Sequence, residues 1–163
     1  MASNKNILKI FQEDQQDRLK NQSEKTWLSW VKKRDYKRRQ TVLKLLKNKM
    51  IITPDDFFRA AMIFHHGVNR KHIVKAKKLA KKSMLLGNKR AKWLYAATID
   101  RLLVLQGKHQ QFGTQYAPKN SPDGKKYYEL LPINQNFPDS ERIKFNIKPL
   151  KKISKILKLK KDK

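Results

Sequence analysis

TPDDFFRAAMIFHHG, residues 53–67, decides the fold class. Thr53 offers a side-chain oxygen as a helix cap, and Pro54 suits the first helical position, where its missing N–H would be unpaired anyway. Asp55 and Asp56 put negative charge at the positive end of the helix dipole. Phe57, Phe58, Ala60, Ala61, Ile63 and Phe64 then recur on one apolar face. The pattern predicts a helix running to His65 and His66 and closed by Gly67 in a left-handed conformation.

Outward from this stretch, Ile73, Ala76, Ala80 and Ser83 keep helical spacing, Gly87 and Asn88 mark a turn, and Ala91, Leu94, Ala97 and Thr98 carry the pattern on to Gly107. These two segments are expected to pair as an antiparallel hairpin. Small residues at Ala76, Ala80, Ala91, Ala96 and Ala97 allow close approach, as in a tetratricopeptide-like or Sel1-like unit. Upstream, Ile7, Leu8, Ile10, Phe11 and Leu19 predict one helix. Ser23 and Glu24 open another, running from Trp27 to Leu46, long or broken near Tyr36. Downstream, Gly113, Pro118, Asn120, Pro122, Asp123, Gly124 and Pro132 mark loops, with Lys125 to Leu131 as a short extended piece. Asp139 or Ser140 caps a short turn, and Leu150, Ile153, Ile156 and Leu157 suggest a last amphipathic basic helix with a fraying end. The expectation is an all-α protein of five to six helices, with a single helical domain over 1–150 and a basic extension over 151–163.

At 163 residues, one compact domain with tails is the natural reading, and 39% hydrophobic content with three Trp, seven Phe and five Tyr requires that part of the chain folds. The absence of cysteine excludes disulfide scaffolds, thiol nucleophiles and thiolate metal sites. His65, His66, His72 and His109 form no convincing ligand set, so neither metal nor cofactor is expected. The first thirty residues include Glu13, Asp14, Asp17 and Glu24, unlike a signal or transit segment, which points to an intracellular protein of cytoplasm or organelle matrix.

Forty Lys and Arg against thirteen Asp and Glu leave a net charge of +27. Between Asp56 and Asp100 there is no acid at all. Lys71, Lys75, Lys78 and Lys82 repeat every three or four residues, forming one helical stripe opposite Ile73, Ala76, Ala80 and Ser83. Each neighbouring like-charged pair costs about 0.2–0.5 kcal/mol in an isolated helix, a penalty that a phosphate partner removes. Lys89 and Arg90 follow it. A second basic cluster includes Lys32, Lys33, Arg34, Lys37, Arg38 and Arg39, and a third is the tail, with Lys151, Lys152, Lys155 and Lys158. A merely solvated surface is the bland alternative. A membrane surface fits less well, because the apolar faces of these helices are needed for the core. Without a helix-turn-helix, zinc-finger or aromatic RNP pattern, contacts to backbone and shape are expected rather than base reading.

Polar motifs sit between these basic stretches: Asp-Gln-Gln-Asp-Arg at 14–18, Arg34 and Asp35 with Arg38, the Ala60 to Gly67 run, Trp93 to Arg101, and Gln111-Phe112-Gly113-Thr114-Gln115. Taken singly, each is more often a salt bridge, cap or turn than chemistry. In this order they resemble an uncharacterised bacterial family of small helical proteins, over residues 10 to 150, with Pro132-Ile133 and Glu141-Arg142 similar to its ending. The resemblance implies a helical fold with a shared polar pocket of Asp14, Asp17, Arg18, Asp35, His66, Asp100, Arg101 and Gln115. It implies no reaction. The strong basic charge departs from that template.

Three functions remain. The leading one is a non-sequence-specific RNA-binding structural protein, a component of a ribosome-like ribonucleoprotein, an organellar ribosome included, with neighbouring proteins and RNA backbone as partners and no membrane. The second is an enzyme of unknown reaction, with His66 or Asp100 as base and Arg101 holding an anionic substrate. No HExxH, P-loop, nucleophile-elbow or dinucleotide motif gives that reading a reaction type. The third is a DNA-packaging or virion protein.

Overall fold

The computed structural model describes residues 2–19 and 25–158. The expected helix start at Ser23 and Glu24 and the last residues of the tail lie outside them, as do the side chains of Trp27 and Lys158. Among the described residues six helices carry the fold, in keeping with the all-α class: α1 (Lys5–Leu19), α2 (Lys25–Lys47), α3 (Pro54–His65), α4 (Arg70–Leu85), α5 (Arg90–Val104) and α6 (Asp139–Lys144). Three short strands, β1 (Tyr116–Asn120), β2 (Lys126–Leu130) and β3 (Ile156–Lys158), form one antiparallel sheet in that order. The chain divides into two compact units, Met1–Tyr95 and Ala96–Lys163. Helix α5 begins in the first unit and ends in the second.

In the first unit, α3 starts as its sequence dictates. Thr53 accepts from the Asp56 N–H at 3.1 Å, and the Asp56 carboxylate returns the contact to the Thr53 N–H at 3.2 Å, closing a capping box behind Pro54. The same carboxylate accepts from the Ser3 hydroxyl and the Asn4 N–H, while the Asn4 side chain caps Ile7 at 3.2 Å. One buried aspartate therefore fixes the beginnings of both α1 and α3. Burial opposes ionisation of Asp56, but the donors on Ser3, Thr53 and Asn4 outweigh it and hold its carboxyl below the usual range.

Helix α4 runs antiparallel to α3. The Ser83 hydroxyl donates to the Pro54 carbonyl at 2.6 Å at one end, and the Phe64 and His72 rings lie 6.3 Å apart at the other. Ala60, Ala61, Ala76 and Ala80 are fully buried between them, among Phe57, Phe58, Ile63, Phe64 and Leu79. Asn88 caps α5 through Arg90 and Ala91, and Lys77 Nζ lies 5.8 Å from the Tyr95 ring centre. The closely packed helical pair is therefore α3–α4, and Ala91 and Leu94 of α5, Ile7 of α1 and Val42 and Leu45 of α2 join the same core.

Of the two readings of α2 the long one holds, and one other local expectation changes. Helix α2 is unbroken at Tyr36, because Val31, Asp35, Arg38, Val42 and Leu45 form one continuous buried side. It ends with Lys49 at φ 55 and Met50 N–H bonded to Leu45 C=O at 2.9 Å, a left-handed cap without glycine. Gly67, by contrast, has no left-handed φ: α3 ends at His66 with φ −76. Glycine is required there by crowding, since an added Cβ would lie 2.3 Å from His72 Cβ.

In the second unit, Ala96, Phe112 and Ile147 form a small core, with Ile99, Phe137, Phe145 and Ile153 against it. Phe112 meets Phe137 and Phe145 edge-on at 4.9 and 5.3 Å. The extended piece expected at Lys125 to Leu131 is β2. Its partner β1 precedes a tight turn in which Gly124 takes φ +76 and Ser121 N–H bonds Lys125 C=O at 2.8 Å. The α6 start uses neither predicted cap: Pro138 precedes it, and Asp139 instead accepts from Leu150 N–H at 2.7 Å. The expected tail helix is overturned. Leu150–Lys152 make a single 3-10 turn after Pro149, Ile153 packs on the small core, and Ile156–Lys158 add a strand to β2. β-Branched isoleucines beside an open strand edge favour pairing over a helix whose first turn proline already restricts. The segment from 151 is therefore built into this unit up to 158.

Asp56→Asn removes the charge from its acceptors, and urea unfolding should show a loss of about 2–3 kcal/mol. Lys49→Gly relieves a left-handed lysine, and the same measurement should show a gain of about 0.5–1 kcal/mol.

Candidate functional site

The eight residues expected to share a pocket fall into two sets, Asp14, Asp17, Arg18, Asp35 and His66 in the first unit and Asp100, Arg101 and Gln115 in the second. In the first, a helical repeat of four puts Asp14 and Arg18 on one side of α1, 3.1 Å apart. Arg18 also reaches Asp35 of α2, and Arg38, one turn further on, binds Asp35 at 3.0 Å and Asp17. Arg34 Nε donates to Asp17 at 2.7 Å. Asp14 further accepts from Gln15 at 2.9 Å and faces His66 Nδ1 at 2.9 Å, where α3 ends. Arg18 Nε lies 3.3 Å from the same ring nitrogen. One nitrogen cannot donate to Asp14 and accept from Arg18 at once; the shorter contact to a carboxylate favours a proton on Nδ1 pointing at Asp14.

Asp14 and Asp17 are 1% and 2% exposed. Burial raises a carboxyl pKa, yet both are held below the usual range, Asp14 by His66, Arg18 and Arg38 and Asp17 by Arg38 and Arg34. Burial likewise pulls Arg38 down, but its bonds to Asp17 and Asp35 and the charge of Asp14 raise it. The cluster is therefore a charged network, not a set of neutral carboxyls. Arg34, Arg18 and His66 are its partly exposed members, at 38%, 23% and 22% side-chain exposure.

In the second unit, Asp100 is fully buried and occupied. Its two oxygens accept from the Gln111, Phe112 and Thr114 N–H groups at 2.7, 2.9 and 3.0 Å and from the Thr114 hydroxyl at 2.8 Å. A carboxylate so engaged is a loop clamp, with both oxygens taken up by the chain itself. Gln115 Nε2 donates to Ala97 C=O, and its N–H donates to Gln110. Arg101 is half-buried. Arg142, which carries no candidate role in the sequence, is 1% exposed and donates to the Gln111, Phe137 and Asn134 carbonyls and to Asp139. The spacing of three from Asp139 is the signal that marks it.

The basic residues separate by type. Lys32, Lys33 and Lys37 are exposed on α2 and Arg34 is partly exposed though ion-paired, whereas Arg38 and Arg39 are only 5% exposed, so the last two do not belong to a solvent-facing basic cluster. Lys71, Lys75, Lys78 and Lys82 are all exposed on α4, opposite buried Ile73, Ala76, Ala80 and Ser83, as the stripe requires. Lys82 and Lys75 sit 4.2 and 5.8 Å from the Phe57 and Phe64 ring centres, which anchors their stems and offsets part of their mutual repulsion. Lys89 and Arg90 are exposed at the start of α5, though Arg90 pairs with Asp55 at 3.0 Å. Lys151, Lys152 and Lys155 are exposed in the second unit. No helix among the described residues is long and apolar enough to cross a membrane.

No protein-family model, curated protein or solved structure matches this chain.

The carboxyls of Asp14 and Asp17 titrate lower in the folded than in the unfolded state, so their stabilisation is complete above the unfolded pKa of about 4 and fades as pH falls through the folded values. Urea midpoints should therefore drop on acidification below about pH 5. Asp17→Asn should lose about 3 kcal/mol at neutral pH, because Arg38 stays buried with only Asp35 and Asp14 to balance it, and should show a flatter acid limb.

Proposed function

We propose that this chain binds structured RNA through its phosphate backbone, as a component of a ribosome-like ribonucleoprotein. The reading rests on one observation: in the first unit the acids Asp14, Asp17, Asp35 and Asp56 are turned inward, while Lys32, Lys33 and Lys37 of α2 and Lys71, Lys75, Lys78 and Lys82 of α4 face solvent. Their charges are spent inside the protein. The four-lysine side of α4 has no acid within its own helix, and its long stems reach a phosphate array as independent point charges. Exposed Lys32, Lys33 and Lys37 on α2 and Lys151, Lys152 and Lys155 extend the same chemistry. Nothing in this set pairs fork-like donors with a base edge, so the affinity is expected to be sequence-tolerant.

The motifs shared with the uncharacterised family supply interior pairs and a loop clamp, which fits a scaffold carrying a basic surface. A second reading, an enzyme acting on an anionic substrate, draws on the Asp14–His66 pair and its solvent-facing ring.

Binding of duplex and stem-loop RNA, followed by anisotropy from low to high salt, should show log K falling steeply with log salt, by about 0.7–0.9 per phosphate contact. Replacing Lys71, Lys75, Lys78 and Lys82 by Gln should flatten that slope by about 3 without changing the melting curve. A flat salt dependence in the unmodified protein would remove the proposal. Equal affinity for DNA would favour the packaging alternative, and loss of a measurable turnover in His66→Gln with binding intact would favour the enzyme.

A further inference from the structure

The last turn of α4 is docked on the first turn of α3. Ser83 donates its hydroxyl to the Pro54 carbonyl at 2.6 Å, and Lys82 Nζ lies 4.2 Å from the Phe57 ring centre. Leu86 follows Lys82 by four residues and so extends the lysine side of α4 by one turn. There it walls a hollow of about 350 Å³, together with Ser3, Thr53, Pro54, Asp55 and Asn88. That volume is at the small end of ligand pockets, which span roughly 300–1,000 Å³.

The walls are tied in place. Asn88 Nδ2 donates to Asp55 Oδ1 at 2.7 Å while its own Oδ1 caps α5, and Arg59 Nη1 donates to the Ser3 hydroxyl oxygen at 2.6 Å. Leu86 still leaves 47% of its surface to solvent. Two polar positions at the hollow have capacity to spare. Asp55 Oδ2 has Arg59 at 3.6 Å and accepts no hydrogen bond among the described residues, and the Thr53 hydroxyl accepts from Asp56 N–H but keeps a proton to donate.

Contacts to phosphate do not account for this hollow. An apolar wall gives a phosphate nothing, and the half-exposed Asp55 carboxylate repels it. The surrounding cations nevertheless suit a nucleotide. Lys82 stands one turn before Leu86, and Lys89 and Arg90 come directly after Asn88; all three are exposed, with Arg90 3.0 Å from Asp55. A nucleobase combines flat apolar faces with an edge of donors and acceptors, and its chain brings phosphates to the cations. An apolar side chain of another protein fills the hollow but uses neither Asp55 nor Thr53.

We propose that this hollow receives one unpaired nucleobase of an RNA whose backbone follows the lysines of α4; the inference rests on the RNA reading above and adds to it a preference at a single nucleotide. The base lies against Leu86 and Pro54. Its exocyclic amino group donates to Asp55 Oδ2, and the ring nitrogen beside that group accepts from the Thr53 hydroxyl. Adenine and cytosine carry this donor–acceptor pair on their Watson–Crick edges, whereas uracil presents an imino donor between two carbonyl oxygens.

The test compares, by anisotropy with the full chain, a plain RNA stem and the same stem carrying one unpaired adenine, cytosine or uracil. The adenine and cytosine bulges should bind at least about fivefold tighter than the plain stem, and the uracil bulge should lose most of that gain. 2-Aminopurine at the unpaired position should change its emission along the binding isotherm. Leu86→Gln, at an exposed position, should abolish the gain. Asp55→Asn, which places a donor where Oδ2 accepts, should shift the preference toward uracil. A steep salt dependence for the plain stem with no gain from any bulge overturns this site and leaves the RNA reading standing, whereas binding of no RNA overturns both. The proposal also falls if the three bulges gain equally, if the 2-aminopurine emission stays constant, or if Leu86→Gln keeps the gain; an apolar segment of a neighbouring protein then becomes the occupant.

Discussion

Three aspartates that leave water must take their counter-charges with them, and this constraint organises the first unit. Asp14 and Asp17 on α1 and Asp35 on α2 are each worth burying only if guanidinium groups fill their lone pairs, so Arg18, Arg34 and Arg38 are drawn into the same space. Because the pairs cross from one helix to the next, they set the approach of α1 and α2. His66 adds the end of α3. Apolar packing through Ile7, Val42 and Phe64 supplies the non-directional part of the same contact.

That constraint also sorts the cations. The buried basic residues, Arg38, Arg39 and Arg142, are all arginine, and no lysine accompanies them among the described residues. A planar fork that is weakly hydrated and always charged can be held by carboxylates and carbonyls inside a protein, whereas an ammonium group is more strongly hydrated and stays at the surface. Counting charge alone therefore merges two populations with different work. One holds the fold; the other is left to meet whatever anion approaches.

The same distinction explains what could be read in the residues. Thr53, Pro54 and Asp56 act within one helical turn, so their role was legible without any knowledge of the remainder, and the stripe on α4 followed from spacing alone. Arg34, Arg38 and Arg39 read as surface charge beside Lys32, Lys33 and Lys37, because only the distant acids on α1 show that two of them are paired. The tail failed for a similar reason. Ile153, Ile156 and Leu157 fit a helical period, but the alternative depends on the β2 edge, some thirty residues away, which local pattern cannot reveal. Gly67 was marked correctly as a required glycine and given the wrong cause, since crowding by His72 is a tertiary fact. The division at residue 95 was hidden by α5, whose unbroken period passes through it.

The clamp at Asp100 carries a consequence for motion. One side chain on α5 gathers the loop amides of Gln111, Phe112 and Thr114 and a hydroxyl, so those groups share a single anchor and cannot be released one at a time without stranding a charge in the interior. Opening of the 111–114 segment is thereby made all-or-none and linked to the integrity of the last turns of the helix. The loop behaves cooperatively, as an outlying portion of α5 and not as a free connection.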